Sequence, residues 1–353
     1  MNSANRWLIG FAAALMLISG FMDASASQPV AAQKEIIIGV QPLGYPVAMI
    51  TSVMKRDEIL KDDMARRGFR VVHTPYSMGS EMVGLVGPKL VGAFMGDMPT
   101  ISTATRTKVL AVGLVKQTFS SVVAHNTPLV KDLKGKRVGV ALGSSAHHTL
   151  LQGLKAAGLS ESDIRIAPIP IDEMPNALAA GSIDAYTAWE PAPTISLSSD
   201  PLAGVIFRGL SSDYFLLADS FEKSNREEAL LLTASFLRAI EWMRIGSDNL
   251  RRAAEWSIVD AESYSGKKTR LTVRQAMDIA TREILSIASA PAIIRLKGEK
   301  PRLSSEFEFL ARLGKLPPGA SFSQVQAAFE WDGLSTVNKS LKKYRIKEYR
   351  YAR

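Results

Sequence analysis

Lys136-Arg-Val-Gly-Val-Ala-Leu142 runs directly into Gly143-Ser144-Ser145-Ala146-His147, and Leu150, Leu151, Leu154 and Ala157 follow before Gly158. This stretch decides the fold. A short apolar run rich in branched residues reads as a buried strand, the later spacing as one face of a helix, and Gly158 as its stop. A strand therefore enters a helix through a Gly-Ser turn. The first N–H groups of a helix lack partners and carry partial positive charge. Small residues let an anion approach them, and serine hydroxyls add donors. A sulfonate, carboxylate, nitrate or phosphate suits such a start; a plain serine cap without ligand uses the same residues. The Gly-Lys-Ser/Thr ending of a nucleotide loop and the GxGxxG of a dinucleotide site are both missing, which disfavours nucleotides.

The same rhythm extends on both sides. Glu35–Val40 reads as a buried strand ending at the turn Gly44-Tyr45-Pro46, Lys55–Arg67 as a polar helix stopped by Gly68, and Arg70–His73 as a second strand. Ile164–Ile169 and Ile183–Trp189 are further strands, with a helical turn at Asn176–Ala180 between them. Alternation of this kind predicts an α/β fold with an open sheet and helices on both faces. Beyond about residue 220 the pattern turns helical, with amphipathic segments at 226–245, 249–258, 271–289 and 304–313. A weak internal echo links Gly92-Ala-Phe-Met-Gly-Asp-Met-Pro99 with Asp184-Ala-Tyr-Thr-Ala-Trp-Glu-Pro191. Two α/β halves presenting equivalent strand ends to one cleft would produce it, and so would coincidence.

The chain has 353 residues, 46% hydrophobic and 22% charged, which excludes a largely disordered protein. It contains no cysteine, so disulfides, thiol catalysis and cysteine-based metal sites are excluded. Arg6 precedes the apolar run Trp7–Met22, and Ala24-Ser25-Ala26 follows. The run is shorter than the ~20 residues of a membrane span. Residues 1–26 are expected to be a secretory signal peptide cleaved near Ala26, so the mature protein is expected to be exported. The net charge is +9, and Lys339, Lys342, Lys343, Arg345, Lys347, Arg350 and Arg353 crowd the end. Residues 339–353 are read as a solvated basic tail; no nucleic-acid-binding motif accompanies them, and no nucleic-acid partner is expected.

His147 and His148 are adjacent and cannot share a helix face, and no spaced metal-binding pair exists. No metal and no cofactor are expected. There is no Gly-x-Ser-x-Gly nucleophile elbow. Asp97 and Glu190 suit either a carboxylate pair across a cleft or the orientation of backbone groups, and Trp189 suits either a ligand cover or plain core.

At this point the residues resemble a known family. Asp132-Leu-Lys-Gly-Lys-Arg-Val, then Gly-Ser-Ser-Ala-His147, then Ala-Leu-x-x-Gly-x-Ile-Asp-Ala185, then Trp-Glu-Pro191 occur in order, with Gly96-Asp97-x-Pro99 upstream. Over residues 35–218 the chain is similar to the periplasmic substrate-binding proteins of ABC importers for sulfonates, taurine and nitrate. The resemblance implies a two-lobed type II periplasmic-binding-protein fold with a helical C-terminal part. One lobe would comprise residues 34–120 plus 219–338 and the other 125–213, with crossings near Ser121–His125 and Tyr214–Ala218. It implies a monomer that is not an enzyme and that delivers a small organic anion to a membrane permease. The ligand would meet Gln41, Pro42, Tyr45, Met78, Gly79, Ser80, Asp97, Ser144, Ser145, His147, Trp189 and Glu190. These motifs contain no Arg or Lys, so neutralisation is expected from N–H groups, hydroxyls and the helix dipole. Tyr45-Pro46-Val47 and Met78-Gly79-Ser80-Glu81 depart from the usual small-residue pattern where ligand identity would be set. Desulfinases and pyrimidine-forming enzymes share the scaffold; the former need a cysteine that this chain lacks, the latter are cytosolic. A periplasmic sensor is the other alternative.

Overall fold

The computed structural model describes residues 33–287 and 290–352. The expected signal peptide lies outside them. The chain opens with β1 (Lys34–Val40), α1 (Val47–Lys55), α2 (Glu58–Arg66), β2 (Phe69–Pro75), β3 (Gly92–Gly96) and α3 (Asp97–Ala104). The long strand β4 (Val109–His125) leads into β5 (Arg137–Val140), α4 (Ser145–Ala156), β6 (Arg165–Pro168), α5 (Met174–Ala179), β7 (Ala185–Ala188) and α6 (Ala192–Ser199). A second long strand, β8 (Ala203–Ala218), returns. Helices follow: α7 (Asp219–Ser224), α8 (Arg226–Ile245), α9 (Ser247–Ser265), α10 (Val273–Ala280) with a π-turn at Thr281–Leu285, α11 (Ser304–Arg312), α12 (Phe322–Ala328) and α13 (Gly333–Asn338).

The sheet order is β2-β1-β3-β8-β4-β7-β5-β6. Its pattern of parallel and antiparallel pairing is the same read from either edge. β1 pairs in parallel with β2 and β3, and β3 pairs antiparallel with β8. β5 pairs in parallel with β6 and β7, and β7 pairs antiparallel with β4. The echo between residues 92–99 and 184–191 therefore marks topologically equivalent strands, β3 and β7. β4 and β8 pair from Val109↔Ala218 to His125↔Ala203 and hold the halves together. Only at residues 117–120 and 209–212 do they pair with nothing but each other.

Packing follows the same division. Ile36, Ile38, Phe94 and Phe215 meet α1, α8 and α9 on one face of the first half, where the Phe94 and Phe215 rings stack at 4.4 Å. Met95, Tyr214 and Leu216 meet residues of α3, α11 and α12 on the other. In the second half Val138 and Val140 pack on Leu150 and Leu154 of α4, while Tyr186 faces Met174 and Leu178 of α5. Two faces buried on each side explain why the strands read as continuous apolar runs.

Three expectations need correction. The helix expected over Lys55–Arg67 is two helices, because Asp57 breaks α1 and caps α2 by accepting from Ile59 N–H and Leu60 N–H. The helix expected over 271–289 is regular only to Ala280. The basic terminal segment is docked. Glu58 N–H donates to Arg350 O (2.9 Å), Ala352 N–H donates to Arg56 O (3.0 Å), and Arg345 and Arg350 pair with Asp63 and Asp62. Acids of α2 supply the counter-charge that the local sequence lacks. Among the described residues, no helix is long and apolar enough to cross a membrane.

Candidate functional site

The ends of the parallel strands, where loops turn into helices, surround a cavity of about 110 Å³. Gln41 and Tyr45 reach it from the β1–α1 loop, Met78, Gly79 and Ser80 from beyond β2, and Gly96, Pro99 and Ser102 from β3 and α3. Leu142–Ser145 close it from the β5–α4 turn and Trp189 from the end of β7. Lys116, Ser211 and Asp213 form its floor where β4 and β8 pair. A crevice at strand carboxyl ends is where open α/β sheets bind ligands.

The β5–α4 turn shows how the sequence builds one wall. Gly143 has φ +75°, a left-handed conformation that glycine adopts without strain. Ser144 is the N-cap: its hydroxyl donates to Ala141 O (2.6 Å) and accepts from His147 N–H (3.3 Å). That hydroxyl is occupied. Ser145 has no recorded partner for its hydroxyl or its N–H among the described residues, and both stand at the start of a twelve-residue helix. Across the cavity Gly96 has no side chain to fill the gap. A Cβ there would lie 3.3 Å from Asp213 Oδ1 and 3.9 Å from Ser145 Oγ.

The floor carries the site's charge. Lys116 and Asp213 oppose each other in the β4–β8 ladder, with Nζ 3.1 Å from Oδ2. The ladder shifts register between Leu114 and Lys116, an irregularity of the sort that re-aims a side chain. Lys116 is 2% exposed. Burial opposes its charge, but Asp213 and Glu283 outweigh burial and hold its pKa above the usual lysine value. Lys116 thus brings to the cavity lining a charge that the matched motifs lack.

Eight of the twelve residues expected from sequence line the cavity: Gln41, Tyr45, Met78, Gly79, Ser80, Ser144, Ser145 and Trp189. Gln41 is held by donating from Nε2 to Phe94 O (2.9 Å). The buried Tyr45 hydroxyl accepts from Ser257 (3.1 Å), and burial pushes its pKa up, so it stays neutral. The other four stand outside the lining, each for a physical reason. Pro42 yields its place to Gly44 of the same turn. Asp97 is buried behind the wall, accepting from Ser212 N–H (2.8 Å) and Tyr214 Oη (2.9 Å), and burial pushes its pKa up to about 7. His147 turns inward to accept Gly143 N–H on Nδ1 (3.1 Å) and packs edge-on against Phe309. Burial lowers its pKa against the opposing effect of Glu161, so the ring is neutral with its proton on Nε2. Glu190 accepts from Thr194 N–H (3.2 Å) and pairs with Arg282 (2.8 Å). Its backbone carbonyl accepts from Tyr45 N–H (3.2 Å), joining the two halves over the cleft.

Lys116, Ser211 and Asp213 escaped the sequence reading. One signal was available: Lys116 interrupts the run Val109–Val115, in which no residue is polar.

Comparisons with known proteins agree with this geometry. The NMT1/THI5-like family profile matches residues 99–244. A Bacillus subtilis (strain 168) protein named for aliphatic sulfonate binding is 28% identical over 260 residues, 70% of this chain and 76% of that one. Among solved structures, the alkanesulfonate-binding protein of Xanthomonas axonopodis pv. citri bound to MOPS superposes with a TM-score of 0.61 at 20% identity. That match covers 84% of this chain and 98% of the other. The periplasmic nitrate-binding protein of Synechocystis PCC 6803 gives 0.56 at 12% identity over 88% and 89% of the two chains. The fold is thus that of the periplasmic binding proteins, and the resemblance read from the motifs is borne out.

Proposed function

We propose that this chain, which resembles the sulfonate- and nitrate-binding proteins of ABC importers, captures a small organic anion and delivers it to a membrane permease. The observation that carries this reading is the convergence of a buried ammonium, Lys116, with an unpartnered helix start at Ser145 in one small cavity at the strand ends. The rest of the lining supports an organic ligand. Met78, Met98, Val47, Leu142 and the rings of Tyr45 and Trp189 offer apolar surface for a hydrocarbon body, while Ser80, Ser102 and Ser211 add hydroxyls. A sulfonate combines a weakly hydrated monoanionic head with such a body.

The mechanism follows from the topology. The halves, residues 34–120 plus 219–338 and residues 125–213, act as lobes hinged where β4 and β8 pair only with each other. Closure brings Trp189 and the Ser145 helix start over the ligand, and the Tyr45–Glu190 backbone bond latches the lobes. Opening of that latch against a permease releases the cargo. The protein acts as a monomer, exported to the periplasm through its N-terminal signal, and performs no catalysis; with no cysteine it lacks the nucleophile of the desulfinases that share its scaffold.

The test is a thermal-shift screen over alkanesulfonates, taurine, nitrate, carboxylates, pyrimidines and flavins. A ligand at about 100 times its dissociation constant stabilises the protein by roughly 2.7 kcal/mol, a visible shift. A sulfonate is expected to give the largest shift. A response confined to neutral or cationic compounds would defeat the reading.

A further inference from the structure

The geometry points to Lys116 and Asp213 as the pair that sets which anions the cleft accepts. Lys116 holds the ligand's charged oxygens, and Asp213, by neutralising the empty site, restricts it to singly charged heads. The inference rests on the binding-protein reading above and adds the origin of its charge selectivity.

An ammonium carries three N–H donors. Asp213 Oδ2, at 3.1 Å, is the recorded partner of Lys116 among the described residues, and the side chain is nearly sealed from bulk water. The remaining donors are left for whatever fills the cavity that Lys116 lines. Ser145 and Ser211 line the same cavity with hydroxyls that have no protein partner among the described residues, and Gly96 keeps the space between Asp213 and Ser145 open. These groups make a seat for oxygens of one acid head.

Asp213 determines how much charge that seat tolerates. Among the described residues Lys116 is the one cation in the lining and Asp213 the one carboxylate, so the charges of the empty lining cancel. Other nearby cations are engaged. Arg282 pairs with Glu190 and Glu283, and Arg302 donates to Tyr214 and Ser212. A monoanion leaves the site with one net negative charge and a dianion with two. Away from water, where charges interact more strongly, the second is far less favourable. A sulfonate enters; a doubly ionised phosphonate of the same shape is rejected.

The experiment is calorimetric titration with a series of linear alkanesulfonates, then with the phosphonate matching the tightest of them, at a pH where the phosphonate carries two charges. The wild type is expected to prefer the sulfonate by about tenfold or more. Lys116→Met should weaken the sulfonate by at least about tenfold, the effect of losing a hydrogen bond to a charged group. Because that change strands Asp213, the double variant Lys116→Met/Asp213→Asn, which leaves no unpaired buried charge, is measured beside it and should show the same loss. Asp213→Asn alone should strengthen binding of both anions, the phosphonate more than the sulfonate, and so narrow the sulfonate preference by about fivefold or more. Sulfonate affinity within about twofold of wild type in the double variant would remove Lys116 from the seat. An unchanged preference in Asp213→Asn would overturn the selective role of Asp213. A wild type that binds no alkanesulfonate at all would instead defeat the binding-protein reading itself.

Discussion

Two buried ion pairs in this molecule differ in how completely their hydrogen bonds are used. Asp57, fully buried, accepts from Ile59 N–H, Leu60 N–H, Ser235 Oγ and two nitrogens of Arg238, at distances from 2.7 to 3.1 Å. Arg238 spends its remaining end on the carbonyls of Tyr344 (2.9 Å) and Arg345 (3.3 Å), fastening the terminal segment. Among the described residues, Lys116 and Asp213 are bound to each other alone, and they face a cavity. A saturated pair has nothing left to offer a ligand and acts as a structural tie. An unsaturated pair in a cavity is poised to exchange part of its mutual contact for a ligand. Burial alone does not separate the two; the count of unused donors does.

The largest expected effect breaks the saturated pair. Arg238→Met leaves Asp57 charged and uncompensated and should cost about 3–5 kcal/mol of stability in urea unfolding. Sulfonate affinity of the folded protein should stay within about twofold of wild type. A large affinity loss without a stability loss would blur the distinction drawn between the pairs.

A second test uses Asp97, whose native pKa of about 7 lies above the ~4 of a carboxyl in an unfolded chain. Between these values the native state binds more protons, so the contribution of this group makes the protein most stable below about pH 4 and less stable as pH rises through 7. The full span corresponds to roughly 2–4 kcal/mol. Asp97→Asn should flatten that part of the stability profile in urea unfolding across this range, and an unaltered slope would contradict the placement of Asp97.

Adjacent serines sharpen the comparison at smaller scale. Ser144→Ala removes the cap of α4 and should cost about 1 kcal/mol of stability. Ser145→Ala should leave stability unchanged and weaken sulfonate binding by about 1 kcal/mol, near fivefold, by titration. The smallest effect belongs to Tyr45→Phe, which deletes the acceptor for Ser257 and should cost about 0.5–1 kcal/mol of thermal stability without altering ligand preference.

Much of this architecture was legible in the sequence, and the remainder was hidden for definable reasons. β5 and α4 were visible because strand and helix periods change sharply at Gly143 and end at Gly158, and β1 because its branched apolar run ends at the turn Gly44-Tyr45-Pro46. β4 and β8 were not read as single long strands, because Lys116, Ser120, Ser211 and Asp213 interrupt their apolar pattern at the crossing. Their extent follows from pairing between residues roughly a hundred positions apart, which no local window contains. The helix break at Asp57 had a local signal, an Asp able to cap the next turn, but the remote partner that holds this carboxylate buried, Arg238 on α8, was not visible. At the site, loop residues such as Ser145 and Trp189 could be found from motifs. Asp97 and Glu190 looked available because each is an acid beside a strand end, yet each satisfies backbone N–H groups instead. Lys116 gains its meaning only from Asp213 across the ladder.

The central claim is that the cleft recognises an organic anion. The most direct measurement compares the melting temperature of the wild-type protein with an alkanesulfonate and with the alkylammonium of equal chain length. The sulfonate should raise it in a saturable manner while the ammonium leaves it unchanged. Stabilisation by the ammonium, with no response to the sulfonate series, would contradict the account.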